Sequence, residues 1–254
     1  MLEELLKADL FAFFLVFTRM GAAMMLLPGF GEVYISPRLR LMIALGIALV
    51  VTPLVSPALP SLPASPLELW LLLMGEVLVG LFIGMLARIL FAALQTAGMA
   101  IAYQAGMANA FVNDPTSASQ GALFGAFLGI LGVVVIFESG LHYYLLSAVV
   151  DSYALFTPGR MPPLDDYALV TARVFADSFD LAVRIASPFI VIALVFYLGL
   201  GLLGRLMPQV QVFFIALPLQ IMVGLLVLAI TVMAGMTWFL GAFEETVTDL
   251  LIVR

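Results

Sequence analysis

The chain has no cysteine in 254 residues, a single histidine and only 10% charged residues. Without cysteine there is no disulfide, haem thioether, thiol nucleophile or thiolate metal site, and the redox compartment cannot be read. His142, flanked by Gly140, Tyr143 and Tyr144, has no second His or Cys with which to build a metal site, so a structural or interfacial histidine is expected. Positive charge is scarce too. The net charge of -6 and isoelectric point near 4.6 lack the basic footprint that nucleic-acid phosphates demand. There is no Walker A loop and no nucleophile elbow, so neither an enzyme nor a bound cofactor is expected.

What the chain has is grease. An apolar content of 64% and a mean hydropathy of +1.20 lie outside the soluble range and mark a membrane protein. A span needs about 20 apolar residues. Windows of that kind run over Leu10–Leu27, Leu41–Pro57, Leu67–Ala87, Ile89–Val112, Thr116–Phe137, Ile185–Leu203 and Leu219–Phe243. The expected fold is all-α, with six or seven long, kinked helices arranged as hairpins, depending on whether residues 67–112 form two short helices or one long bent one. Basic residues are too thinly spread for positive-inside counting to fix orientation. Glu3, Glu4 and Asp9 outweigh Lys7 at the N-terminus, unlike an ordinary signal peptide, so retention is expected.

Prolines punctuate these windows. Pro28 and Pro37 bracket the first turn, Pro53, Pro57, Pro60, Pro63 and Pro66 make a stiff linker, and Pro158, Pro162 and Pro163 open the one long polar region. Beyond it Asp166, Arg173, Asp177, Asp180 and Arg184 fall on one stripe of a helix, with Ala168, Phe175, Phe179 and Ala182 on the opposite face. Acids outnumber bases along that stripe, which suits a partner or solvent rather than an anionic membrane surface.

Lone charges break the apolar runs. A charge near mid-bilayer costs a few kcal/mol on the gentlest scales. Arg19, Glu76, Arg88 and Glu138 are therefore expected as buried charges facing protein or water. Glu76 and Arg88 stand about 18 Å apart along a helix and cannot pair with each other, so each needs a partner elsewhere. Intramembrane acids and bases also mark proton paths, which leaves an ion or solute transporter using Glu76, Arg88 and Arg19 as an alternative of a different class. Glycines form stripes as well: Gly80 with Gly84, Gly98 with Ala102 and Gly106, and Gly121, Gly125, Gly129 and Gly132. Bare faces of this kind let backbones approach closely where no hydrophobic effect drives helices together.

Two stretches stand apart. Residues 104–120 insert AGMANAFVNDPTSASQ between apolar runs. Asp114 and Pro115 suit the N-cap and first turn of a following helix, which explains them as a loop. Gly106, Met107, Phe111, Asn109 and Asn113 allow a second reading, a flexible segment whose thioether and ring close a narrow pore. In Gly199–Gln220, Arg205, Pro208, Gln209 and Gln211 interrupt about 60 residues otherwise free of charge, as the polar tip of a helical hairpin does. Gly199, Gly201 and Gly204 spell GxGxxG, but within an apolar helix and with no acid following, so they are not a dinucleotide fingerprint.

These residues together resemble the FliR family, the export-gate membrane subunits of bacterial flagellar type III secretion, whose injectisome counterparts are called SctT. The resemblance runs through Arg19 with Pro28, the Pro37, Arg38 and Arg40 cluster, Gly75 and Glu76 with Gly80 and Gly84, Gln104–Pro115, GLHYYLLSAVVDSY at 140–153 and GLLGRLMPQVQVFFIALP at 201–218. It implies a subunit of a multi-subunit helical pore complex in the bacterial inner membrane and flagellar basal body, displaced toward the periplasmic side. FliP-like and FliQ-like subunits would be its neighbours, and unfolded export substrates would pass through. A FliP-like part would cover 1–184 and a FliQ-like hairpin and tail 185–254. The family's plug matches Gly106–Ser119, making Gly106, Met107, Phe111, Asn113, Asp114 and Pro115 the gate candidates. Arg205, Pro208, Gln209 and Gln211 would meet an FlhB-like subunit. An injectisome gate subunit is the nearest alternative.

Overall fold

A computed structural model describes residues 2–107, 122–159, 164–207 and 212–251. The protein is all-α. Among the described residues there are seven α-helices: α1 (Leu2–Leu26), α2 (Pro37–Val55), α3 (Pro66–Gln104), α4 (Ala122–Glu138), α5 (Leu141–Leu155), α6 (Leu164–Leu206) and α7 (Val212–Leu251). A 3-10 turn, Ser56–Ala58, follows α2. Helices α1, α2, α3, α6 and α7 contain stretches long and apolar enough to cross a membrane, and the α4–α5 pair, sharply bent at Gly140, adds a sixth if taken as one span. Within the chain 61% of the apolar window of α3 is buried, against 22% for those of α2, α6 and α7. Thus α3 is an internal helix, whereas the others turn wide apolar faces outward.

Helix boundaries follow local chemistry. Pro37 opens α2 behind Ser36, whose hydroxyl accepts from the Leu39 N–H at 3.3 Å. Pro66 opens α3 behind Ser65 in the same way, the Glu68 N–H reaching the Ser65 hydroxyl at 3.2 Å. Gly140, at φ 78°, supplies the left-handed residue that ends α4 and starts α5. Pro188 lies inside α6 and withdraws the N–H that the Arg184 carbonyl would accept, and the Ser187 hydroxyl donates to that carbonyl at 2.8 Å instead.

The chain forms two compact units. The first comprises residues 1–90, 136–175 and 243–254. Its core packs Leu15, Val16, Met20, Ala23 and Met24 of α1 with Val79, Phe82, Ile83 and Leu86 of α3 and Leu145, Ala148 and Val149 of α5. The second comprises residues 91–135 and 176–242. There Ile185 of α6 lies against Gly235 of α7 and Tyr197 against Gln220, so α7 runs back antiparallel to α6. That antiparallel pair is the hairpin expected around a polar tip.

The structure decides several open points. Of the two alternatives for residues 67–112, one long helix holds over Pro66–Gln104, since nothing between Ala87 and Ile89 breaks a backbone and Arg88 only interrupts its grease. The charged stripe of 166–184 and the window Ile185–Leu203 fuse into the 43 residues of α6. The 184/185 boundary therefore falls inside an unbroken helix. On its N-terminal part the buried positions are Val174, Ser178, Leu181, Ala182 and Ile185, while Phe175 and Phe179 are exposed. Of the face opposite the charges, this chain therefore buries Ala182 but leaves Phe175 and Phe179 outside. Helix α5 had not been assigned as a separate element, its tyrosines and serines diluting the apolar signal.

Candidate functional site

Arg19 occupies the middle of α1, among residues that are otherwise almost wholly apolar. Its Nε and Nη2 donate to the two carboxylate oxygens of Glu76 at 2.7 and 2.9 Å. Nη1 reaches the Ser152 hydroxyl and Nη2 the Phe156 carbonyl, each at 3.0 Å. The guanidinium also lies over the Tyr153 ring, 3.7 Å from its centroid. Arg19 is 0% and Glu76 1% exposed. A bidentate fork with further acceptors around it is the geometry in which a buried arginine is tolerated. Three separate elements, α1, α3 and α5 with its C-terminal turn, are tied at this one point. Ser152, Tyr153 and the Phe156 carbonyl were not foreseen; their only signal was the polar content of GLHYYLLSAVVDSY.

Arg88 pairs with Glu32 in the loop between α1 and α2, and is half-buried rather than buried. Arg40 braces the same loop, its Nε and Nη2 donating to the carbonyls of Phe30 and Glu32 at 3.0 Å each. Gly29, at φ 82°, packs so closely on Phe137 that any side chain there would strike the ring. Desolvation by burial, then the Glu32 carboxylate, hold the Tyr34 phenol above its ordinary range despite the opposing pull of Arg88, so it stays neutral at physiological pH. Glu138, expected among the buried charges, is exposed at the end of α4. It ends α4 beside the bend at Gly140, where its side chain leaves the core of this chain. His142 stacks on Phe137 at 4.7 Å and lies 4.0 Å from the Tyr143 centroid, an aromatic packing role.

In the second unit, α3 ends in a Schellman motif. The Met107 N–H bonds the Ala102 carbonyl at 3.1 Å and the Gly106 N–H that of Tyr103 at 3.2 Å, with Gly106 left-handed at φ 72°. Gly106 is therefore the helix-ending residue, required by backbone conformation, and Met107 is the first residue beyond it. Phe111, Asn113, Asp114 and Pro115 lie outside the described residues. The Gln104 carbonyl, which the motif leaves unused, accepts from Gln220 Nε2 at 2.8 Å, and the same nitrogen donates to the Tyr197 hydroxyl at 3.0 Å. Gln220 and Tyr197 were missed. The available signal was a lone amide inside the long apolar window of α7.

The glycine stripes divide by use. A side chain on Gly80 or Gly84 would run into the α1 backbone at Arg19 and Ala23. One on Gly98 would run into the backbone of Phe124 and Gly125, and Gly125 in turn faces the Gln95 carbonyl at 3.3 Å. Among the described residues, by contrast, nothing lies within 4 Å of the missing side chain of Gly129, and Gly121 lies outside them. Gly199, Gly201 and Gly204 lie toward the C-terminal end of α6, not in a strand-to-helix loop, and among the described residues nothing packs against their bare faces. Arg205 is exposed in the last turn of α6, where a cation suits the helix dipole. Pro208, Gln209 and Gln211 lie outside the described residues. Among the described residues no three His, Cys, Asp or Glu side chains gather where a metal could bind.

Comparison with known proteins places this geometry. Residues 10–246 match the family described as bacterial export proteins, family 1. The chain is 38% identical over 225 residues to the flagellar biosynthetic protein FliR of Caulobacter vibrioides, covering 88% of this chain and 90% of that protein. It is 30% identical to the Bacillus subtilis protein of the same name, over 87% of this chain and 86% of that one. It is also 29% identical to the Yop proteins translocation protein T of Yersinia pestis, over 93% of this chain and 92% of the relative.

Proposed function

This chain belongs to family 1 of the bacterial export proteins, and from that premise we propose that it is a membrane subunit of the flagellar type III secretion export gate. It forms and plugs part of the channel through which unfolded flagellar proteins are exported, and has no catalysis of its own. The carrying observation is the family match across almost the whole chain, reinforced by its likeness to FliR proteins. The injectisome reading differs only in cargo, and the identity to flagellar relatives exceeds that to the Yersinia protein.

Within the apparatus the neighbours are FliP-like and FliQ-like subunits, with an FlhB-like subunit at the polar tip around Arg205, Pro208, Gln209 and Gln211. The outward apolar faces of α6 and α7, among them Leu194, Leu198, Leu202, Met222, Leu226 and Met233, support packing against such neighbours, as do the open glycines at 199, 201 and 204. Residues 1–184 act as the FliP-like part and 185–254 as the FliQ-like part, as lengths of sequence rather than as compact bodies. The complex sits in the inner membrane at the flagellar base, displaced toward the periplasmic side.

Gly106–Ser119 is the plug, with Met107, Phe111, Asn113, Asp114 and Pro115 its closing residues. Its attachment supports this role, because it leaves the end of α3, an internal helix, through a turn that only glycine accommodates easily. Shortening residues 108–119 should leave the complex assembled while raising membrane ion conductance well above background. Background conductance in a verified assembled complex would remove the plug assignment.

A further inference from the structure

The turn between α1 and α2 is held more firmly than a connection needs to be. Glu32 is clamped by Arg88 of α3, and its carbonyl and that of Phe30 are taken by Arg40. The Gly31 N–H bonds the Leu27 carbonyl at 2.8 Å and the Ile35 N–H that of Glu32 at 3.0 Å. A side chain on Gly31 would strike the backbone of Met25, as one on Gly29 strikes Phe137. Yet the tip that these contacts fix points away from the chain. Val33 is 98% and Tyr34 65% exposed, an aliphatic and an aromatic side chain together on a rigid support. Preorganisation of that kind lowers the entropic cost of association, and tyrosine is among the residues that anchor interfaces.

Charge indicates what covers the tip. Arg38 is exposed in the first turn of α2, and among the described residues neither it nor Arg40 has a carboxylate within ion-pair distance. Glu32, the one acid of the loop, is already taken by Arg88. The loop therefore carries an excess of positive charge in a chain whose net charge is -6. Its position makes that excess costly. Arg88 fixes the loop beside α3 at about 33 Å from the start of that helix and about 24 Å from its end, at 1.5 Å per residue. A layer of lipid headgroups needs an apolar helix to end, and α3 runs on past this level through Ile89, Leu90 and Phe91. A cation beside the middle of an apolar helix calls for protein, and for an anion.

We propose that Val33, Tyr34 and Arg38 form a docking knob for a neighbouring subunit, one whose apolar surface carries a carboxylate that pairs with Arg38. This rests on the reading of the chain as one subunit of a multi-subunit complex. Glu32, Arg40 and Arg88 position the knob; Arg38 selects the charge of what meets it.

The chain has no cysteine, so Val33→Cys introduces a unique thiol for a water-soluble maleimide, followed by mass on this chain. In detergent its labelling should slow roughly ten-fold or more when the chain is co-assembled with FliP-like and FliQ-like subunits, relative to the chain alone. Arg38→Glu should lower the yield of assembled complex by roughly the same factor, because like charges then face each other, whereas Arg38→Lys should keep most of it. The isolated Arg38→Glu chain should melt with the unmodified one, since Arg38 bonds nothing within the described residues; a lower melting temperature would make Arg38 a structural residue and overturn its docking role. Equal labelling rates in a complex verified by size overturn the knob. So does labelling that slows only once the complex is moved into vesicles of phosphatidylethanolamine and phosphatidylglycerol, which would assign the tip to lipid. Full assembly of Arg38→Glu overturns the carboxylate partner. If the unmodified chain joins no complex at all, the export-gate reading itself fails and takes this inference with it.

Discussion

Replacing Glu76 with alanine should cost about 3–5 kcal/mol and sharply reduce the yield of assembled complex. The reason is what remains. Arg19 would keep its charge at a fully buried position while losing the partner that takes two of its hydrogen bonds. Replacing both residues, Arg19→Met with Glu76→Leu, should recover most of the loss, because buried ion pairs exchanged for packed apolar groups are often neutral in stability. The exposed Asp180–Arg184 pair gives the contrast: its side chains are 60% and 69% exposed, and breaking it should cost less than about 1 kcal/mol. Size-exclusion yield and thermal melting in detergent decide. The same variant separates the transporter alternative, which requires a complex that assembles fully and loses only flux. A Glu76→Ala complex with normal yield and melting would mean that the pair does not hold α1, α3 and α5 together.

Gly98→Ala should be nearly as severe, at about 3 kcal/mol, the upper end for overfilling a packed contact. The added methyl would lie 2.7 Å from the Phe124 carbonyl carbon and closer still to Gly125, and backbone cannot turn away as a side chain can. Helices α3 and α4 would have to separate locally. Gly129→Ala is the matched control, since nothing lies within 4 Å of that position among the described residues. Equal melting temperatures for the two variants would mean that the Gly98 contact is not a close one. A defect in Gly129→Ala that appears only on assembly would point to a neighbouring subunit on that face.

Composition and periodicity made the fold class legible, because grease at helical spacing leaves few alternatives once water is gone. The lone charges were legible for the same reason: Arg19 and Glu76 stand where a charge is costly, so a partner was required, although nothing local could say that each was the other's. Glu138 shows the limit, since a charge at the edge of an apolar run escapes the penalty by ending the helix. Glycine spacing identified the close faces at 80, 84, 98 and 125 but could not separate them from 129, against which nothing packs among the described residues. Gln220 was invisible for a related reason. It bonds a carbonyl 116 residues away, and a backbone carbonyl leaves no mark on the sequence.

The length of α3 has a consequence for its surroundings. Its 39 residues extend about 58 Å at 1.5 Å per residue, and its most apolar stretch has a mean hydropathy of 2.4. The hydrocarbon slab is about 30 Å thick, and even a 40° tilt, the steep end of what membrane helices adopt, projects this rod to about 44 Å. Some 14 Å of helix is therefore left over beyond the hydrocarbon even at that tilt. The chain meets part of that excess itself: it buries 61% of the apolar window of α3, more than in its other spanning candidates, so much of this helix touches protein where a lone helix would touch lipid or water.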